Sequence, residues 1–245
     1  MAVRPPAPQP RVTRMTALLF PAPDWPALPV EGSDARFPVR RVFCVGRNYA
    51  AHAAEMGAEV DREAPFYFTK SALAVVPSGT TQPYPPATTD LHHEVELVVA
   101  LWAVGLRVAP EAAMGLVWGY GVGLDMTRRD LQAAAKDKRR PWSMGKDFAA
   151  SAVIGPLTPA AGFSPDGQRI ALSVNGDLRQ DAVLAEMVWR VPELIADLSR
   201  YERLGPGDLI MTGTPAGVGA VVAGDRLEGR IDGLAPVTLS VGPAD

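Results

Sequence analysis

The stretch LHHEVELVVAL constrains this chain more than any other. Read as a strand from Glu94 to Val104, it sends alternate side chains to opposite faces. Val95, Leu97, Val99 and Leu101 occupy one face, and Glu94, Glu96, Val98 and Ala100 the other. Apolar residues on both faces predict a strand covered on two sides, inside a layered structure. Glu94 and Glu96 then point into one buried space. A second apolar run, LVWGYGVGLD, ends on another carboxylate, Asp125. Buried carboxylates cannot all stay ionised without compensation, because an unpaired buried charge is very unfavourable. A divalent cation compensates them, and three carboxylates form an all-oxygen site suited to Mg²⁺, Mn²⁺ or Ca²⁺. The competing reading is a solvated strand face with its glutamates in water.

Strands dominate the rest of the chain. Glycines at 115, 119, 121 and 123 would each weaken a helix by about 1 kcal/mol relative to alanine, so the later part of that run reads as strand or bend. RVFCV and PFYF are short apolar strands, and SVNGDLRQDA is a hairpin around Asn175-Gly176. LIMTGTPAGVG is a strand running into a glycine-rich loop. Helices are few. NYAAHAAEMG reads as barely two turns, capped by Asn48 and stopped by Gly57. MTRRDLQAAAKDK has a helical pattern. VPELIADLSRYERLG is the clearest amphipathic helix, with Leu194, Ile195, Leu198 and Tyr201 on one stripe and Gly205 as its cap. Without a regular βαβ rhythm, the expected class is a strand-rich α+β fold with a few peripheral helices.

Residues 1–14 are basic and proline-rich and are expected to be a disordered tail, with Met15 as an alternative start. Residues 15–40 read as a small leading segment, and residues 41–245 as the main domain. The acid-rich stretch from Ala58 to Glu63 reads as an exposed loop. A net charge of −3 offers no basic footprint for nucleic acid or an anionic membrane, and no apolar run reaches the length of a span. A single cysteine, Cys44, rules out an intrachain disulfide and suits a cytoplasmic setting. Its apolar surroundings make it a small buried hydrophobe.

Other polar residues carry competing readings. His52 and Glu55 are three apart on the short helix, where a carboxylate orients an imidazole for general-base work. From spacing alone, two polar residues on a solvated face are the commoner outcome. TGTP reads either as a plain strand-ending turn or as a turn whose hydroxyls and N–H groups meet a carboxylate. Lys146 is a surface lysine by base rate, and His92 and His93 beside the acidic strand read as structural.

Taken in order, VGRNYAAHAAEMG, PFYFTK, HHEVELVVAL, GYGVGLDMTRRDLQ, KDKRRPWSMGKDF, VNGDLRQD and GDLIMTGTPAGVG resemble the fumarylacetoacetate hydrolase family. The resemblance runs from about Arg41 to the C-terminus. It implies a mixed β-roll, a homodimer, and one Mg²⁺ or Mn²⁺ held by Glu94, Glu96 and Asp125. It implies a catalytic His52–Glu55 pair, a substrate-contacting Lys146 and Thr214, and Arg129 and Gln132 near a substrate carboxylate. Where relatives often carry proline after the PFYFTK lysine, this chain has Ser71. Within the family, the branch that cleaves acylpyruvates matches best. The expected reaction is hydrolysis of the C–C bond of a 2,4-dioxo acid such as fumarylpyruvate, a step of aromatic-acid breakdown. Oxaloacetate decarboxylation, or isomerisation or hydration of a related dioxo acid, is the alternative on the same site. A non-catalytic binding protein is a third, which retention of His52 and Glu55 opposes.

Overall fold

The computed structural model describes residues 18–57 and 64–244. The tail expected at residues 1–14, the start at Met15 and the loop expected at 58–63 lie outside these described residues. The acidic strand is central, as its two apolar faces require. One eight-stranded sheet runs in the order Phe66–Lys70, Arg41–Gly46, Asp208–Met211, Val95–Leu101, Val117–Asp125, Ala152–Ile154 and Val75–Pro77, with Thr158–Pro159 also paired to Val117–Asp125. Asp208–Met211 pairs parallel with Arg41–Gly46, and Ala152–Ile154 parallel with Val75–Pro77. The other ladders are antiparallel, so the sheet is mixed.

A five-stranded sheet carries the hairpin around Asn175-Gly176, in the order Asp177–Val183, Arg169–Val174, Arg226–Ile231, Val237–Ala244 and Thr80–Tyr84. Val95, Leu97, Val99 and Leu101 share one apolar cluster with Ile170, Leu172, Leu227 and Leu239 of that sheet. Val98 and Ala100, on the opposite face, join a second cluster with Val42, Cys44, Leu209 and Met211. Burying each such aliphatic side chain is worth about 1.5–3 kcal/mol, so the Val95–Leu101 strand is held from both sides. Leu28, Phe37 and Val39 of the leading segment complete the second cluster, brought there by the hairpin Ala27–Val30 and Ser33–Pro38. Gly119 is glycine because a Cβ there would stand 2.3 Å from the carbonyl oxygen of Thr158.

The fold is the strand-rich α+β arrangement that the pattern predicts. Several boundaries differ. The acidic strand spans Val95–Leu101 rather than Glu94 to Val104. Glu94 sits at a break after Leu91–His93, where its carbonyl accepts the Asp125 amide at 2.9 Å. At the other end the Trp102 amide turns to the Leu116 carbonyl at 3.0 Å. The amphipathic helix Val191–Tyr201 stops at Tyr201, and Glu202 is already extended, so Gly205 is not its cap. Tyr201 is 66% exposed and does not belong to the buried stripe of Leu194, Ile195 and Leu198. Asn48 does not cap the helix Ala50–Glu55; Tyr49 holds that position without a side-chain bond. Ser71 in place of proline caps a short 3₁₀ turn by accepting the Leu73 amide, while its own amide donates to Asp147. Among the described residues no helix is long and apolar enough to cross a membrane.

Candidate active site

Glu94, Glu96 and Asp125 converge. Each offers an oxygen within 4.8 Å of the others, and all three side chains are buried. Asp125 ends the strand Val117–Asp125, whose register sets Gly123 opposite Glu96 and Leu124 opposite Val95. Antiparallel pairing therefore delivers the third acid to the first two.

Three cations stand around them. Lys146 Nζ lies 2.8 Å from both Glu94 Oε2 and Asp125 Oδ2. Lys70 Nζ lies 2.8 Å from Asp125 Oδ1 and donates to the carbonyls of Met126, at 3.2 Å, and Lys146. Arg129 Nη2 donates to Glu94 Oε1 at 2.5 Å, and Nη1 to Gln132 Oε1 at 2.6 Å. Burial opposes ionisation of Glu94, but Lys146 and Arg129 outweigh it and hold this carboxyl far below the usual range. Burial also works against the charge on Lys146, and Asp125 and Glu94 reverse it, raising its pKa. Glu96 is the exception. Burial first, then Asp125 and Glu94, push it well above the ordinary carboxylate value.

That imbalance tests the fit to a cation. A buried carboxylate that resists ionisation beside two others is relieved by a divalent ion, and three hard oxygen donors match Mg²⁺ or Mn²⁺. The residues present fit the group.

The TGTP turn does meet a carboxylate, but through its backbone. The Gly213 amide donates to Glu96 Oε2 at 2.8 Å. The hydroxyls of Thr212 and Thr214 are spent on the strand, donating to the carbonyls of Leu97 at 3.1 Å and Val95 at 2.8 Å. Gly213 holds φ +94°, and a Cβ there would stand 2.7 Å from that of Asn48.

His52 is buried rather than solvated, and its Nδ1 lies 3.2 Å from Glu55 Oε2. Glu55 is itself held by the Gly217 amide, at 3.1 and 3.2 Å from its two oxygens. One cavity is lined by His52, Glu94, Glu96, Arg129, Gln132, Lys146 and Thr214. The predicted site residues are thus assembled, Asp125 lying behind Lys146 and Glu55 behind His52. Lys146, read from base rates as a surface residue, is almost fully buried. His92 and His93 stay out of the carboxylate cluster: their rings bond Asp90 and Gln180.

A family model described as "Fumarylacetoacetate (FAA) hydrolase C-terminal" matches residues 41–241. The chain belongs to the fumarylacetoacetate hydrolase family. It is 51% identical over 192 residues to a fumarylpyruvate hydrolase of Ralstonia sp, covering 78% of this chain and all of that one. It is 41% identical over 203 residues to the mitochondrial oxaloacetate tautomerase FAHD1 of Rattus norvegicus, covering 82% of this chain and 91% of that one. Among solved structures, the fumarylpyruvate hydrolase of Pseudomonas aeruginosa in complex with Mn²⁺ and pyruvate superposes with a TM-score of 0.89. That pair shares 49% identity and covers 92% of this chain and 99% of the other.

The roles of three residues of this fumarylacetoacetate hydrolase family member are not legible in the sequence. Lys70 had one available signal, a lysine closing the apolar strand PFYFTK. Gln180 is fully buried, accepting the Val95 amide at 3.0 Å and donating to Thr214 Oγ1 at 2.7 Å and the Pro215 carbonyl at 2.8 Å. Asn48 clamps the backbone of Trp189 from both sides and donates to the Thr212 carbonyl at 2.8 Å. No local pattern announces the last two.

Proposed function

We propose that this chain is a divalent-cation-dependent hydrolase that cleaves the C–C bond of an acylpyruvate, with fumarylpyruvate as substrate. Water and the acylpyruvate give a carboxylic acid and pyruvate. The observation that carries the reading is one cavity uniting a three-carboxylate cluster with a carboxylate-oriented histidine. Likeness to the Ralstonia enzyme supports the choice of substrate.

In this reading Glu94, Glu96 and Asp125 hold Mg²⁺ or Mn²⁺. Bound there, the cation supplies Lewis-acid polarisation and positive charge for the leaving pyruvate fragment. The chain's own residues do the rest. Glu55, fixed by Gly217, accepts a hydrogen bond from the Nδ1–H tautomer of His52, which leaves Nε2 free as the base. His52 takes a proton from water, and the hydroxide adds to the C4 carbonyl. Two of the three ammonium protons of Lys146 face Glu94 and Asp125, so the third is available to the oxygen that becomes negative at C4. The C3–C4 bond then breaks, C3 keeps the electron pair, and the proton that His52 took from water returns to C3 and completes the methyl group of pyruvate. Arg129, steered by Gln132, faces the 1-carboxylate. Thr214, its own proton committed to Val95, shapes the floor through the turn it belongs to.

A second reading is keto–enol tautomerisation or decarboxylation of oxaloacetate, favoured by likeness to the oxaloacetate tautomerase of Rattus norvegicus. Neither requires attack by water, so neither requires His52 to act as a base toward it. Assaying fumarylpyruvate and oxaloacetate side by side, with Mg²⁺ and with EDTA, decides between them. Pyruvate release from fumarylpyruvate that stops with EDTA is expected; turnover of oxaloacetate alone would reject hydrolysis. We further propose a cytoplasmic homodimer serving aromatic-acid breakdown. Its catalytic unit is residues 41–245, and residues 15–40 form an appended segment. Light scattering tests the dimer.

A further inference from the structure

Two cations in the cavity are left over once the acidic cluster is accounted for. Arg47 and Lys136 line it together with Trp142 and the groups described above. Glu94 and Glu96 are the carboxylates of that lining, and Arg129 and Lys146 already pair with Glu94. Among the described residues, neither Arg47 nor Lys136 has a carboxylate within salt-bridge distance.

The Lys136 side chain and the Arg47 backbone are nonetheless held in place. Lys136 Nζ stands 5.0 Å from the centre of the Trp142 ring, a cation–π contact. Trp142 packs edge-on against Phe66, with ring centres 4.9 Å apart, and that anchors the indole. Arg47 has φ +58°, a conformation that side-chain-bearing residues rarely adopt. Its neighbour Asn48 fixes it there by bonding Trp189 and Thr212. Burial first, then Arg129 and Arg47, pull the Lys136 ammonium below its ordinary value. Among the described residues, the acid that opposes this positive charge is Glu94, which is already paired with Arg129 and Lys146, and an anion relieves the excess.

We infer that Arg47 and Lys136 form the subsite for a carboxylate at the far end of the acyl arm, with Trp142 as the wall beside it. The inference rests on the acylpyruvate reading of the same cavity and extends it. Fumarylpyruvate, whose acyl arm ends in a carboxylate, meets that requirement, and the subsite names the residues that read it. A flat, conjugated arm suits an aromatic wall, and an arginine fork and an ammonium suit a terminal carboxylate.

The test uses two inert ligands of equal length, 2-oxoheptanedioate and 2-oxoheptanoate, which differ in the terminal carboxylate. Calorimetry on the Mn²⁺-loaded full chain gives the affinity ratio. The wild type is expected to favour the diacid by about tenfold or more, as one charge-assisted contact warrants. Arg47→Gln and Lys136→Gln should each narrow the ratio, the double variant should bring it near one, and Lys136→Arg should restore most of it. Equal affinities in the wild type, binding of neither ligand, or an unchanged ratio in the double variant would overturn the subsite. Discrimination that persists in a wild type unable to hydrolyse fumarylpyruvate would reject the hydrolase reading instead and leave the subsite standing.

Discussion

Gly213 donates its amide to Oε2 of Glu96 across 2.8 Å, joining the TGTP turn to the acidic strand. The two residues are 117 positions apart in the chain. The bond opposes, without reversing, the burial that pushes this carboxyl up, and it depends on a backbone conformation that glycine adopts freely.

Gly213→Ala should therefore damage both stability and the site. The new Cβ would combine φ +94° with a 2.7 Å contact to Asn48. A loss of about 2–4 kcal/mol in urea unfolding is expected, together with weaker Mn²⁺ binding. Wild-type stability and affinity would show that the turn tolerates a side chain.

His52→Ala separates chemistry from cation binding. Its imidazole bonds Glu55 and none of the three clustered acids. Hydrolysis should fall by roughly 10²–10⁴-fold while Mn²⁺ affinity by calorimetry stays within about twofold. Hydrolysis at the wild-type rate would remove the base role.

Asp125→Ala removes a carboxylate that faces both Lys70 and Lys146. Mn²⁺ affinity should drop by about 10-fold or more, and the protein should lose about 3–5 kcal/mol because the buried Lys70 ammonium is left without a carboxylate, while Lys146 keeps Glu94. Calorimetry and thermal unfolding read the two effects independently. Unchanged Mn²⁺ binding would reject the ligand assignment.

Gln180→Leu keeps volume but strips the bonds to Val95, Thr214 and Pro215. Each buried group left unmatched costs about 1–3 kcal/mol, so a loss of several kcal/mol is expected in chemical denaturation. A variant as stable as the wild type would mean that the network is dispensable.

Asp130 gives a pH dependence away from the acidic cluster. Burial is the largest single influence and raises its pKa, but the Thr88 hydroxyl and the Thr89 and Leu131 amides together outweigh it and hold it below the ordinary value. A depressed folded pKa contributes stability above the unfolded value of about 3.9, and loses it as pH falls through the folded value. The stability gap between wild type and Asp130→Asn, measured in urea, should be wide at about pH 6 and shrink toward about pH 3. A gap that widened on acidification would reverse the sign.

What the sequence determined by itself was periodic or local. Alternation along Val95–Leu101 set which side chains face which cluster, and Asn175-Gly176 set the hairpin. The i,i+3 spacing of His52 and Glu55 put the two on one helix face, within reach of a bond. These need only the pitch of a strand or helix. The tertiary structure alone decided which charges could be buried. Lys146 looks like a surface lysine until Asp125 and Glu94 reach it, and Gln180 looks like hairpin polarity until the Val95 amide does. Asn48 stands where a cap is expected, yet its amide serves Trp189 and Thr212. A buried polar group is stable only with its partner present, and these partners arrive by strand order across the sheets, which no local pattern encodes.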